Sequence, residues 1–326
     1  MLPTIRTVMA RAIDYAGLFP PARLPMEAAV AEYRGVLGGT EAWMLARFVC
    51  PIPRLAELAA LWPAQDGPPL PVAALSGGAA TATELEARAA EDTAALRAFA
   101  ASAGRRVVVD QVELRLPADL LAGCDADAVR AAVAGLHSEL HRGAATAMLL
   151  AVEAPVAGAP PETVRAAATG IARWNRTAVA AGLLPVCLKL RCGGLDATAI
   201  PTVTELAAAL AACRAADVPV KATQGLHHPF RRFDHLVGEA THGFLNLLAA
   251  AILARAHRLD EAAIAAVLAE QDPARFRFTA EALEWDRRRA SLADLAAGRR
   301  HALIAFGSCS FAEPRDDLAA FGLLEE

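Results

Sequence analysis

The two lysines are the residues of this sequence from which chemistry can be argued first. Lysine and arginine together number 32, yet lysine occurs only at positions 189 and 221. Both lysines fall within short runs of β-forming residues, whereas lysines in most proteins lie on the surface. Arginine cannot replace lysine where a deprotonable amine is needed, because the guanidinium stays charged while an ammonium shifts its pKa on burial. The pattern therefore predicts a site that depends on amine chemistry.

Strand alternation predicts where the two lysine side chains point. In the run 186–191, Lys189 and Arg191 alternate with large aliphatic residues, and in the run 218–223, Lys221 and Thr223 do the same. If the aliphatic face packs on helices, both amines face the interior of a barrel and lie on neighbouring strands. Each amine then disfavours the other's charge, so we expect one to be neutral near pH 7. The competing interpretation is that both lysines only form ion pairs with carboxylates inside the barrel.

Candidate partners of the lysines occur near the ends of other predicted strands, where barrel enzymes carry their active sites. Glu153 ends one strand and is the strongest carboxylate candidate. Asp110 and Glu113 have opposite parities on their strand, so only one is expected to face inward, and Glu113 lies nearer the carboxyl end. Arg47, on the first predicted strand, is a candidate anion ligand together with Arg191 and Thr223.

Small-residue loops follow three of the predicted strands. Glycines allow backbone N–H groups to approach an anion, which suggests substrate binding by Gly193 and Gly194 after one strand and by Ser308 after another. The third loop contains His227 and His228, candidates for substrate binding or acid–base work. Neighbours on an extended chain point in opposite directions, so this pair is not expected to chelate one metal ion. No HExxH, P-loop or GxSxG motif is present.

Lys189 in Leu-Lys-Leu-Arg-Cys-Gly-Gly and Lys221 in Val-Lys-Ala-Thr-Gln-Gly resemble the two-lysine arrangement of deoxyribose-phosphate aldolases. The resemblance implies a class I aldolase on a (β/α)8 barrel, with Lys189 forming a Schiff base. Lys221 would lower the pKa of Lys189, and a carboxylate such as Glu113 would assist. The predicted strands put the lysines on the fifth and sixth strands, one earlier than in that family.

Short β-like runs alternate with longer helical segments along the chain, which predicts a (β/α)8 TIM-type barrel. Residues 1–40 are expected to be an N-terminal extension covering a barrel mouth, and residues 41–326 the barrel itself, in a single domain. An open doubly wound parallel sheet is the alternative, because Phe244–Arg255 fits a buried helix as well as a strand. No GxGxxG fingerprint supports a dinucleotide site. The eight predicted strands are Trp43–Cys50, Leu70–Ser76, Val107–Leu114, Ala147–Glu153, Pro185–Leu190, Val218–Thr223, His242–Leu247 and Ala302–Phe306.

Composition limits the classes of partner. The net charge of −4, without a basic stripe, argues against nucleic acid, and the most apolar run is too short to span a bilayer. Six scattered cysteines and no secretory signal are typical of a cytoplasmic protein. A small anionic substrate is the expected partner, and association into a homo-oligomer is compatible with the sequence.

Three functions remain open at this point. The first is an aldolase-type lyase that acts through a lysine Schiff base on a small oxo-acid or sugar phosphate and needs no cofactor or metal. The second is a hydrolase or isomerase in which Glu113, Glu153 and a histidine work with a divalent metal and the lysines hold an anion. The third is a barrel that binds a small ligand without catalysis.

Overall fold

The secondary structure alternates strands and helices from the N-terminal residues onward. The computed structural model describes residues 1–63, 68–142, 144 and 146–324. The strands are β1 (Ile13–Tyr15), β2 (Leu45–Pro51), β3 (Leu70–Leu75), β4 (Val107–Arg115), β5 (Leu149–Ala154), β6 (Cys187–Arg191), β7 (Val220–Thr223), β8 (Arg232–Asp234), β9 (Glu239–Thr241), β10 (Phe276–Phe278), β11 (Ala282–Trp285), β12 (Arg288–Ser291) and β13 (Leu303–Ser308). The helices are α1 (Pro3–Met9), α2 (Met26–Leu37), α3 (Leu55–Leu61), α4 (Ala82–Ala103), α5 (Ala118–Ala122), α6 (Ala126–Leu140), α7 (Pro161–Ala180), α8 (Val203–Ala216), α9 (Phe244–His257), α10 (Glu261–Ala269), α11 (Leu292–His301) and α12 (Ala312–Ala320).

Eight parallel strands close into a barrel in the order β1-β13-β7-β6-β5-β4-β3-β2. The predicted (β/α)8 barrel is therefore confirmed, and the open doubly wound sheet was the wrong alternative. Helices connect successive strands and pack around the outside, where the aliphatic faces of the strands are buried. A capping box formed by Thr202 and Glu205 begins α8.

The first barrel strand lies within the predicted N-terminal extension. Residues 13–15 pair in parallel with both β2 and β13, so the barrel cannot close without them. A boundary at residue 40 between an extension and a barrel was therefore wrong. The strand escaped prediction because three residues are too few to produce an alternating pattern, and its central residue is an aspartate. Residues 16–21, which follow it, do line the barrel mouth, at Ala16, Phe19, Pro20 and Pro21.

The predicted strand His242–Leu247 was wrong, because α9 begins at Phe244. Residues 244–254 are all buried, so the helix has no exposed polar face along this stretch. It therefore lacks the amphipathic period that would have identified it as a helix. It packs between the barrel and α10 and α11, with the Phe244 ring stacked on that of Phe306 at 5.0 Å between centroids. Counted with β1, the lysines lie on the sixth and seventh barrel strands, not on the fifth and sixth.

Two antiparallel units are inserted between β7 and β13. The hairpin β8–β9 follows β7, and the three-stranded sheet β10-β11-β12 precedes α11. Among the described residues, one segment, Ala197–Ala216, is long and apolar enough to cross a membrane by length and composition. Most of this segment is α8, which packs against α7 and α10 as an outer helix of the barrel.

Candidate active site

The two lysines occupy matching positions on neighbouring strands. The strand register pairs Lys189 with Lys221 across β6 and β7, and pairs Glu153 with Lys189 across β5 and β6. Lys189 is 6% exposed and Lys221 is 1% exposed. The structure therefore places both side chains inside the barrel, on the face that strand alternation predicted.

Each lysine contacts two carboxylates, and one carboxylate is shared. Lys221 Nζ donates to Asp14 Oδ2 and to Glu113 Oε1. Lys189 Nζ lies 2.9 Å from Glu113 Oε2 and 3.0 Å from Glu153 Oε2. Because the two oxygens of Glu113 face different amines, this carboxylate separates the two positive charges.

The chain of ion pairs continues to the barrel mouth. Arg191 Nη2 lies 3.0 Å from Glu153 Oε1, and Arg191 Nη1 donates to Gln224 Oε1 at 3.2 Å. The charges alternate in sign through a set that we call the ion-pair row: Asp14, Lys221, Glu113, Lys189, Glu153 and Arg191. The row has three positive and three negative members, so it is neutral when every group is ionised.

This arrangement stabilises the charged form of every group for which a pKa shift is resolved. Burial opposes ionisation of Glu113, but Lys221 and Lys189 outweigh it and hold its pKa below the ordinary value. Burial likewise opposes the charge on Lys189, yet Glu113 and Glu153 raise its pKa; Asp14 and Glu113 do the same for Lys221. The expected neutral amine was therefore wrong for the unliganded protein. The two amines do not face each other directly, because Glu113 lies between them.

We expect the barrel to lose stability below about pH 4.5, because Glu113 and Glu153 then bind protons more readily in the unfolded chain than in the folded protein. The pKa of Glu113 and that of Glu153 lie below the ordinary 4.5 when the chain is folded, so their contribution is present above pH 4.5 and is lost as the pH falls. The contribution of the lysines has the opposite sign and is lost only above about pH 10.5. Chemical denaturation between pH 3 and 8 measures this. A Glu113→Gln variant should show a weaker decline with acid, and an equal decline would contradict the assignment.

Above the ion-pair row lies a cavity of about 940 Å³ at the carboxyl ends of the barrel strands. Its lining includes all four predicted catalytic residues and, of the predicted binding residues, Arg191, Thr223, Gly194, His227 and His228. The hairpin β8–β9 lies over one side, where Arg232, Asp234 and Thr241 line the cavity. The predicted convergence of these residues at one barrel mouth is therefore what the structure shows, although their roles stay predictions.

Three predicted binding residues lie elsewhere. Arg47 does not line the cavity; its guanidinium pairs with Asp110 at 2.7 Å, nearer the amino ends of the strands. A bulge at Asp110 interrupts the regular alternation of β4. Asp110 pairs with Arg47, whereas Glu113, the residue chosen from the strand, contacts both lysines. Ser308 is buried and donates to Ser310 O.

Gly193 is explained by packing between two loops and does not line the cavity. A Cβ atom on Gly193 would lie 2.7 Å from the Cα of Gly225, and one on Gly225 would lie 2.9 Å from the Cα of Gly193. Gly225 also has a φ of +72°. The loops after β6 and β7 therefore cross in backbone contact, which requires glycine in both.

The adjacent histidines hold the loop after β7 against α12. His227 Nδ1 lies 2.9 Å from Glu313 Oε2, and His228 Nδ1 lies 2.6 Å from Asp317 Oδ2. Contact with Cys309 and with Glu313 outweighs burial and raises the pKa of His227 to about 9. The protonated form of His227 is therefore favoured next to the carboxylate of Glu313, which also lines the cavity.

Sequence reasoning missed two members of the site. Asp14 was assigned to the extension, although the Ile-Asp-Tyr triplet places a buried carboxylate between two hydrophobic residues. Gln224 was read as part of a glycine loop, yet it binds Arg191. Among the described residues, no three or more His, Cys, Asp or Glu side chains are grouped so that they could hold a metal ion.

No protein family and no curated protein matches the chain. Among solved structures, it is similar to a deoxyribose phosphate aldolase from Aeropyrum pernix described as having a unique tetrameric structure, with 9% identity, a TM-score of 0.46, and coverage of 98% of this chain and 97% of the other. A structure described as "QR15, an Aldolase" has 11% identity and a TM-score of 0.47, covering 98% and 99% of the two chains. The fold assignment itself rests on the strand order of this chain.

Proposed function

We propose that this protein is an aldolase-type lyase in which Lys189 forms a Schiff base with a small anionic carbonyl compound. The observation that carries the proposal is the position of Lys189. Its amine lies between Glu113 and Glu153 at the base of a cavity that also contains Arg191. An amine, two carboxylates and a guanidinium are the groups that imine formation from an anionic carbonyl compound needs.

Lys189 is assigned as the nucleophile in preference to Lys221 because of its surroundings. Its neighbour Glu153 contacts Arg191 at the cavity mouth, so a substrate held by Arg191 would meet Lys189 first. Lys221 is more deeply buried and is held by Asp14 and Glu113. We assign Lys221 a positioning role, since its positive charge keeps Glu113 ionised beside Lys189.

The proton on Lys189 must leave before the amine can attack. Each carboxylate contacts a second cation besides Lys189. The second cation at Glu113 is the buried Lys221, which a substrate cannot displace, whereas the one at Glu153 is Arg191 at the cavity mouth. An anionic substrate group that draws Arg191 away would make Glu153 more basic and allow it to accept this proton. Attack on the carbonyl carbon then gives a carbinolamine, and loss of water gives the protonated imine. Cleavage of the bond between the α and β carbons then sends its electron pair toward the imine nitrogen and leaves an enamine, while the β-hydroxyl gives its proton to Glu153 and becomes the carbonyl of the first product. Protonation of the enamine and hydrolysis of the imine release the second product and restore the amine of Lys189.

Borohydride trapping with pyruvate as the carbonyl probe tests the proposal. Reduction of the imine would leave a stable mass increase on the peptide that contains Lys189. Since the chain has two lysines, peptide mass spectrometry distinguishes the sites directly. An adduct on Lys221 alone would reverse the two roles, and no adduct on either lysine would remove the Schiff-base proposal.

We expect the trapping rate to rise with pH from 7 to 9, by about tenfold per unit, because only the neutral amine attacks. The pKa of Lys189 is raised above its ordinary 10.5, so the neutral fraction keeps growing throughout this range. Single-turnover trapping at fixed pyruvate concentration measures the rate. A rate that does not change with pH would mean that the neutral form of Lys189 arises by proton transfer to Glu153 within the bound complex. The pKa of Lys189 in the free protein would then not determine the rate.

A second function is favoured by the same raised pKa values. Lysines that stay charged could bind an anion electrostatically, either in an isomerase that uses Glu113 and Glu153 or in a binding protein without catalysis. The two carboxylates are already paired with lysines, which leaves fewer of their oxygens for a metal ion. We call this electrostatic binding of an anion the clamp function. It requires only positive charge, so replacing either lysine by arginine would preserve anion binding.

A further inference from the structure

The wall of the cavity is divided into a charged part and an apolar part. The charged lining residues that the structure describes lie on β4, β5, β6 and β7 or in the segments that follow β6, β7 and β13. The described lining residues that follow or end β1, β2 and β3 carry no charge. We call the following six the apolar wall: Ala16, Phe19, Pro20, Pro21, Val49 and Leu75.

The apolar wall lies across the barrel from the lysines. In a closed barrel of eight strands, the strand four places along lies on the opposite side. The observed order puts β2 opposite β6 and β3 opposite β7. Val49 on β2 therefore faces Lys189, and Leu75 on β3 faces Lys221. Phe19 extends this apolar surface toward the mouth, where its side chain is half-buried.

The cavity is larger than a small oxo-acid needs. Its volume of about 940 Å³ is near the upper end of the roughly 300–1,000 Å³ usual for pockets that enclose drug-sized ligands. A three-carbon acid bound to Lys189 and Arg191 would leave the apolar wall in contact with water. Apolar surface that a ligand can cover favours binding of a hydrocarbon group there.

We infer that the substrate is an amphipathic carbonyl compound, with an anionic group at Arg191, its carbonyl at Lys189, and an aromatic ring or branched alkyl group against the apolar wall. This inference rests on the proposed function for the placement of the carbonyl. The apolar contact itself depends only on the lining of the cavity.

The test compares ligands that differ by a phenyl group. Calorimetry measures the Kd values of butanoate and 4-phenylbutanoate, which cannot form imines, and borohydride trapping compares 2-oxobutanoate with 2-oxo-4-phenylbutanoate. We expect the phenyl compound to bind and to be trapped at about tenfold lower concentration. Phe19→Ala should remove most of this preference, measured as the ratio between the phenyl compound and its partner in each pair. Leu75→Ala, which removes a smaller part of the wall, should reduce the preference by about threefold.

Phe233→Ala is the matched control, because Phe233 lies on β8, is 49% exposed and does not line the cavity. It should leave both ligands unaffected. Equal affinity for the paired ligands in the unmodified protein would overturn the inference, whether or not the variants fold. Preference for the phenyl ligand without any adduct would support the apolar contact and contradict the Schiff-base function. Adducts formed equally with both carbonyl compounds would support the Schiff-base function and contradict the apolar contact.

Discussion

Lys189→Arg is expected to abolish the borohydride adduct with pyruvate and to lower the rate of trapping by about a thousandfold or more. Arginine keeps the positive charge beside Glu113 and Glu153 but cannot be deprotonated at working pH, so it cannot form an imine. Peptide mass spectrometry after reduction measures the adduct, and thermal unfolding checks that the variant is folded.

Lys221→Arg is the matched control for this variant. It retains the charge next to Glu113 and leaves the amine of Lys189 in place, so the adduct should persist on Lys189 at a reduced rate. If Lys189→Arg yields a mass increase at residue 221 instead, Lys221 is the nucleophile and the two roles are reversed. If the unmodified protein forms no adduct and Lys189→Arg binds butanoate as tightly as the unmodified protein does, charge alone is sufficient at position 189. The clamp function would then replace the aldolase.

Glu113→Gln is expected to lower the free energy of unfolding by about 3–5 kcal/mol, the usual effect of breaking a buried ion pair. The change leaves an excess of one positive charge in the ion-pair row, and both lysines lose a carboxylate. Glu113 is 2% exposed, so solvent cannot compensate for the missing charge. Chemical denaturation at pH 7 measures the difference.

A second substitution distinguishes loss of charge balance from loss of packing. Lys221→Met in the Glu113→Gln background returns the row to neutrality with a side chain of similar length. The double variant should recover a substantial part of the stability lost in Glu113→Gln. If the stability that the double variant loses relative to the unmodified protein equals the sum of the losses in Glu113→Gln and in Lys221→Met, Lys221 and Glu113 do not interact energetically and the ion-pair row is not a coupled unit.

The sequence was sufficient to predict the barrel and the inward direction of both lysines. Those predictions depend on alternation within runs of five or more residues, where the difference between aliphatic and polar faces is clear. Residues 13–15 and 244–254 could not be assigned in this way. The first segment is too short to show a period, and the second is buried on all sides.

The electrostatic state of the lysines was beyond prediction from strand parity. Parity specifies the face of the sheet, but whether two amines repel each other or share a carboxylate depends on which side chain from β4 reaches between them. The bulge at Asp110 affects that outcome, because it changes the alternation of the strand upstream of Glu113. A one-residue irregularity of this kind leaves no mark in the pattern of hydrophobic residues.

The closure of the barrel between β1 and β13 has a consequence for synthesis of the chain on the ribosome. Asp14 and its partner Lys221 are 207 residues apart, so at about 5–20 residues per second the carboxylate is made roughly 10–40 s before the amine. Until β13 is also made, β1 lacks its second neighbour and its edge is open to pairing with other chains. Assembly of the ion-pair row is thus among the last events in biogenesis. Nascent chains arrested before residue 303 should be the species that chaperones must protect from aggregation.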